Sequence, residues 1–173
     1  MIFVTVGNAK QGFRRLLSAV DKLAGTKAFQ CEQVFMQIGH NLDFHPQHCE
    51  YMPFLSPDEF QQWMEKADLI ICHGGCTQLQ AIRLGKVPVV MPRRKIYGEH
   101  VNDHQVQLVE ALAAEGRVIP AYEPEDVSAA IAEVRRRKAQ PMPLLPSKMI
   151  FLVAEAIAEL TGRNEGKRQQ KVS

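Results

Sequence analysis

The sequence has no apolar run close to the roughly 20 residues that a membrane-crossing helix needs. No basic segment precedes its first apolar stretch, "MIFVTVGN", and no small-residue cleavage site accompanies it, so the stretch does not read as a secretory leader. The expected location is therefore the cytoplasm. Several phosphate and metal signatures are also missing. There is no Gly-Lys-Ser/Thr of a Walker loop, no G-x-G-x-x-G dinucleotide fingerprint and no H-E-x-x-H zinc pair. An Asp-x-Asp pair to carry a divalent ion is absent too. A large excess of one charge is lacking: the formal net charge is +2, which argues against a nucleic-acid partner. The cysteines are Cys31, Cys49, Cys72 and Cys76. Without a secretory signal they read as reduced thiols rather than a disulfide framework.

What is present is enough for one domain with a full core, 173 residues with a hydrophobic fraction of 46%. Charge is unevenly placed. From Gly162 onward Arg163, Lys167, Arg168 and Lys171 outnumber Glu165, giving a basic tail over 162–173 that is expected to be disordered. The rest, 1–161, is expected to form the folded domain.

Within it, strand and helix patterns alternate. "MIFVTVG" and "EQVFMQIG" read as buried strands ended by glycine, and Phe13 to Ala24 as a helix with Phe13, Leu16, Leu17 and Val20 on one face. A short "CEYMPF" strand precedes Ser56-Pro57-Asp58-Glu59, a helix start with proline at its first position. "DLIIC" is a further strand. Beyond the second apolar run ending at Pro92, the pattern predicts a helix from Val101 to Ala114, a strand at "RVIP" and a helix from about Pro124. Arg135-Arg136-Arg137-Lys138 then fall in that helix's last turn, where cations suit the dipole. A link, "QPMPLLPS", leads to a final helix from about Lys148 to Leu160. Such alternation predicts an α/β fold, a Rossmann-like parallel sheet with helices on both faces. Ligands of such sheets bind beyond the carboxyl ends of the strands. Gly7-Asn8, Gly39-His40 and His73-Gly74-Gly75 should therefore open on one edge.

The turn at His73-Gly74-Gly75 joins a strand to a helix. Glycines there let backbone N–H groups face outward, and a helix N-terminus attracts an anion, most often a phosphate. Thr77 can add a hydroxyl donor. A plain tight turn explains the same residues, and His73 could equally contact a ligand or cap the strand. The segment "PRRKIYGEHVNDHQ" packs Arg93, Arg94, Glu99, His100, Asn102, Asp103, His104 and Gln105 into one loop and helix start. Carboxylate, imidazole and amide together suit several sugar hydroxyls. His100 and His104 are four apart, as zinc ligands can be, and Cys72 and Cys76 flank the glycine turn; no metal is expected, because Cys72 belongs to an apolar strand. Phe60 and Trp63 read as core, and His40, His45 and His48 are assigned no role.

These motifs, "FVTVG" with "FRRL", "ADLIICHGG", "LGKVPVVMPR" and "GEHVNDHQ", resemble the C-terminal, donor-binding half of glycosyltransferase family 28, of the GT-B superfamily. The resemblance runs from "IFVTVG" to about Leu160 and is closest to stand-alone small subunits of two-subunit enzymes, of the dolichol-linked glycan or bacterial exopolysaccharide type. It implies a UDP-sugar donor, with N-acetylglucosamine and glucuronic acid both open, and a lipid-linked acceptor. It also implies a membrane-bound partner that binds the acceptor and brings this chain to the membrane. Gly7, Asn8 and the Gly39 turn are implied near the diphosphate, Leu55 at the uracil edge, Gly74, Gly75 and Thr77 on the diphosphate, and Asp103, His104 and Gln105 on the sugar. Relatives carry one more residue in the glycine loop, so Gln80 stands where they use an acid for the ribose. No cofactor is implied. The general base is expected on the partner, leaving His73 as this chain's candidate for a part in the chemistry. A nucleotide-sugar-binding module without turnover is the alternative.

Overall fold

The computed structural model describes residues 1–29 and 32–139. The expected final helix, the boundary at 161 and the tail lie outside the described residues. Six parallel strands form one sheet: β1 (Ile2–Thr5), β2 (Val34–Gln37), β3 (Glu50–Met52), β4 (Leu69–His73), β5 (Val89–Met91) and β6 (Ile119–Pro120), in the order β3-β2-β1-β4-β5-β6. The helices are α1 (Arg14–Ala24), α2 (Pro57–Lys66), α3 (Cys76–Arg83) and α4 (His104–Ala114) between strands, and α5 (Asp126–Ala139) after β6. This is the Rossmann-like α/β architecture that the alternation predicts.

Period-2 alternation along the strands decides which face each side chain meets. Ile2, Val4, Met36, Ile71, Val89 and Met91 join Leu16, Leu17 and Val20 of α1 and Val127, Ile131 and Val134 of α5 in one core. The alternate residues serve the other face. Phe3 and Phe35 stack with Trp63, Phe35 at 4.1 Å between ring centres, and Phe3 meets Phe60 edge-on. Both aromatics of α2 therefore pack on the sheet, but each stays half-buried, short of the core position expected for it.

Local signals place the ends of α2. Ser56 and Glu59 form a reciprocal capping box, with Pro57 at the first helical position. At its other end the Lys86 ammonium donates to the carbonyls of Met64, Glu65 and Ala67 at 2.6–2.8 Å, filling acceptors that the helix itself leaves open. In α5, Arg136 and Arg137 lie in the last turn and pair with Glu133, so the arginine run is a helix terminus.

Helix α4 departs from expectation by starting at His104 instead of Val101. The preceding residues make a 3-10 turn over Lys95–Tyr97, stopped by Gly98 at φ +67°. The Lys95 N–H then donates to Asp103 Oδ1 and the His104 N–H to Asn102 Oδ1. The Asn102 side-chain oxygen has taken the His104 donor that a helix from Val101 would have used, and the Asp103 carboxylate ties back the Lys95 loop instead.

Candidate functional site at the carboxyl edge of the sheet

Because every strand pair is parallel, the turns after β1, β2, β4 and β5 all lie on one edge. The Gly7-Asn8 turn is held from beneath. The Gly7 N–H donates to Thr5 Oγ1 at 3.1 Å, the Thr5 hydroxyl to Gln37 Oε1 at 2.5 Å, and the Gln37 amide to Asn8 Oδ1 at 2.9 Å. Thr5 and Gln37 are buried, so this chain of bonds has little competition from water. Asn41, also buried, links the turn after β2 to α1: its Oδ1 accepts the Phe13 N–H at 2.8 Å and its amide donates to the Ile38 carbonyl.

His73 sits between two glycines. A Cβ on Gly7 would come 2.7 Å from its Cε1, and one on Gly75 would come 2.4 Å from its Nε2. Either residue needs to be glycine for the imidazole to stand where it does. The Nδ1 is buried without a hydrogen bond of good geometry among the described residues. Burial first, then the charge of Arg93, lower the His73 pKa to about 4, with the Thr5 backbone opposing weakly. The ring is neutral near neutral pH and cannot serve as a cationic phosphate ligand there.

Gly75 is the N-cap of α3 and supplies no side-chain cap, so the first-turn N–H groups keep their positive ends toward the edge. Gly74 is buried against α4, where an added Cβ would lie 3.0 Å from both Gln105 Cβ and Val109 Cγ2. The glycine turn and the start of α4 therefore share one place. Gln105 is partly spent on structure: its Oε1 accepts the Arg93 N–H at 3.0 Å, while its amide makes no hydrogen bond among the described residues. Asp103 and His104 are exposed beside it, Thr77 is buried, and Leu55 is half-buried just before the Ser56 cap. Gln80 is turned toward α2, donating to Gln61 Oε1 at 2.9 Å.

The polar segment after β5 divides in a way that its composition did not reveal. Arg93 is fully buried. It donates to the carbonyls of Val6, Gln11, Gly12 and Glu99, with its guanidinium 4.7 Å from the Phe13 ring centre. Burial lowers its pKa to about 10, which still leaves it charged. Glu99 is buried and receives both Arg15 and the Arg94 N–H. The Arg94 guanidinium pairs with Glu123 at 2.7 Å. These three residues bind the loops to one another. His100 shares its Nδ1 with the backbone of Asn102 and lies outside α4, so His100 and His104 are not a helical pair. Sequence reading missed Arg15, Asn41 and the Thr5–Gln37 link. Only Gln37, a lone amide in the apolar "VFMQIG", was visible as an anomaly.

The family model for the glycosyltransferase family 28 C-terminal domain matches residues 1–159. The chain belongs to that family. Among solved structures, this family 28 domain is similar to the glycotransferase of kitacinnamycin, with a TM-score of 0.56 and 20% identity over 80% of this chain and 36% of that one. Similarity extends to the glycosyltransferase SnogD from Streptomyces nogalater, at a TM-score of 0.42 and 20% identity over 93% of this chain and 43% of that one. The domain thus spans less than half the length of either enzyme. It has no match among curated proteins. Among its described residues, no helix is long and apolar enough to cross a membrane.

Proposed function

We propose that the family 28 domain binds a UDP-sugar at the carboxyl edge of its sheet and supplies the donor half of a glycosyltransferase. The observation that carries this reading is the meeting of the uncapped start of α3, the Gly7 turn and the Gln105 amide at one edge. The diphosphate would take the N–H groups of the Gly74-Gly75 turn and the Thr77 hydroxyl, with Gly7, Asn8 and the Gly39 turn alongside. Leu55 would meet the uracil edge, and Gln80 would offer the ribose its Oε1, since its amide is held by Gln61. Asp103, His104 and Gln105 would take the sugar. As the sugar leaves, negative charge grows on the departing diphosphate, and a fixed helix N-terminus stabilises that charge without reorganising.

Arg93 and Arg94 are committed to internal acceptors, so neither is free for a uronate carboxylate. Exposed Lys95 and His104 lie on the same segment, so this reading admits both N-acetylglucosamine and glucuronic acid as the sugar. The acceptor hydroxyl must be positioned and deprotonated, and this reading assigns both tasks to a membrane-bound partner holding a lipid-linked acceptor. Thermal shift against UDP, UDP-N-acetylglucosamine, UDP-glucuronic acid and an adenine counterpart tests donor binding. Transfer to a lipid-linked acceptor, with and without the partner, tests catalysis. Selective UDP-sugar binding with turnover only in the partner's presence supports the reading. Binding without turnover in its presence would leave a nucleotide-sugar-binding module.

A further inference from the structure

Among the exposed large apolar side chains of the described residues, Ile96 and Val101 reach the highest exposure, 76% and 70%. Both lie on the loop between β5 and α4. That loop is not slack. Arg93 fastens its root through four carbonyls, Glu99 holds Arg15 and the Arg94 N–H, and the Lys95 N–H closes on Asp103.

We propose that this loop is an anchor for an anionic lipid surface, with Ile96 and Val101 entering the acyl boundary and Lys10 and Lys95 meeting the headgroups. Tyr97 has the make-up of an interfacial residue, half-exposed, with its ring 4.6 Å from the Arg15 guanidinium and its hydroxyl on Glu123. Charge on the loop supports the assignment. The carboxylates facing it are Glu99, Glu123 and Asp103. Arg15 neutralises the first and Arg94 the second, while Asp103 holds the Lys95 N–H. Lys95 and Lys10 are exposed, and neither forms an ion pair among the described residues. Lys10 precedes the Gln11 carbonyl that Arg93 grips, which places it at the same root. Two aliphatic side chains on a short loop fall well short of the ~800 Å² per partner of a stable protein interface. A bilayer demands no shape complementarity, and apolar tips flanked by lysines are what its anionic surface attracts. The assignment does not depend on the sugar-transfer reading, since vesicle binding and UDP-sugar binding are measured separately.

The test is co-sedimentation of the full chain with phosphatidylcholine vesicles, with and without phosphatidylglycerol. The chain should partition to the anionic vesicles, and Ile96→Ser with Val101→Ser should lower that partition by about tenfold. Lys10→Gln with Lys95→Gln should shrink the preference for anionic over neutral vesicles. The basic tail is the same in every variant, so these differences belong to the loop. An Ile96→Trp variant reads insertion directly, by quenching of its emission by brominated lipid. Unchanged partition of the Ile96/Val101 variant, or no quenching, overturns the proposal. So does loss of binding to a protein partner by that variant while its vesicle partition stays the same.

Discussion

Arg15 of α1 and Glu99 of the β5–α4 loop, 84 residues apart in the chain, meet as a two-pronged ion pair, Nε to Oε1 at 3.1 Å and Nη2 to Oε2 at 3.0 Å. Both side chains are largely buried. Removing one member of such a pair strands a charge out of water and costs about 3–5 kcal/mol. Glu99→Ala and Arg15→Ala should each lower stability by that order in urea unfolding. The double replacement Arg15→Met with Glu99→Leu should cost much less than the two single losses combined. Additive losses would show that the two groups do not act as a pair.

Gly39 and Gly85 both have positive φ, +57° and +71°, but only Gly39 is crowded. A Cβ on Gly39 would lie 2.5 Å from the Gly7 carbonyl oxygen, while one on Gly85 would meet nothing within 4 Å. Gly85→Ala should therefore cost only the backbone strain, about 1–2 kcal/mol. Gly39→Ala should cost clearly more and also weaken UDP binding, because the two turns of the proposed diphosphate site must part. Equal losses of stability and affinity in the two variants would contradict this.

His73 makes stability depend on pH. Its folded pKa, about 4, lies below the ordinary value of 6.5, so folding favours the neutral ring. The unfolded chain takes up the proton first as pH falls. The stabilisation is full above the ordinary value, shrinks between there and about 4, and is gone below. Its ceiling is about 3 kcal/mol at ~1.4 kcal/mol per unit. Urea titrations across this range should show a slope that flattens in His73→Asn.

Gln105 accepts from the Arg93 N–H through its Oε1, so only its amide is left to donate to a sugar. Gln105→Glu keeps an acceptor for Arg93 but cannot donate while ionised. It should hold stability near the parent's and lose about 1–3 kcal/mol of UDP-sugar affinity. UDP alone should lose less, since it feels only the added charge beside the Gly74-Gly75 turn. Loss of UDP affinity by the same amount would place Gln105 away from the sugar.

Chelation supplies a further check. The sequence carries no Asp-x-Asp pair, and the proposed chemistry gives the diphosphate charge to the start of α3. Transfer by the reconstituted enzyme should persist in excess EDTA. A strict requirement for manganese or magnesium, restored on re-addition, would contradict it.

The order of elements and the gathering of the glycine turns on one edge were legible because they rest on local signals. Alternating apolar strands ended by glycine, the Ser56–Glu59 cap with Pro57, and the basic end of α5 depend on neighbours within a few residues, and each appears where the pattern put it. The family, too, was readable from short motifs. What each polar group of "PRRKIYGEHVNDHQ" does was not. A buried arginine and an exposed one have the same letter, and whether Arg93 meets a ligand or the carbonyls of Val6 and Gln11 depends on loops more than 80 residues away. The same holds for Asn41 at the start of α1 and for His73 between Gly7 and Gly75. Spacing along the chain set the strands and helices. Burial and long-range acceptors, which exist only once the sheet has brought its turns to one edge, decided which charged groups became structure and which stayed exposed.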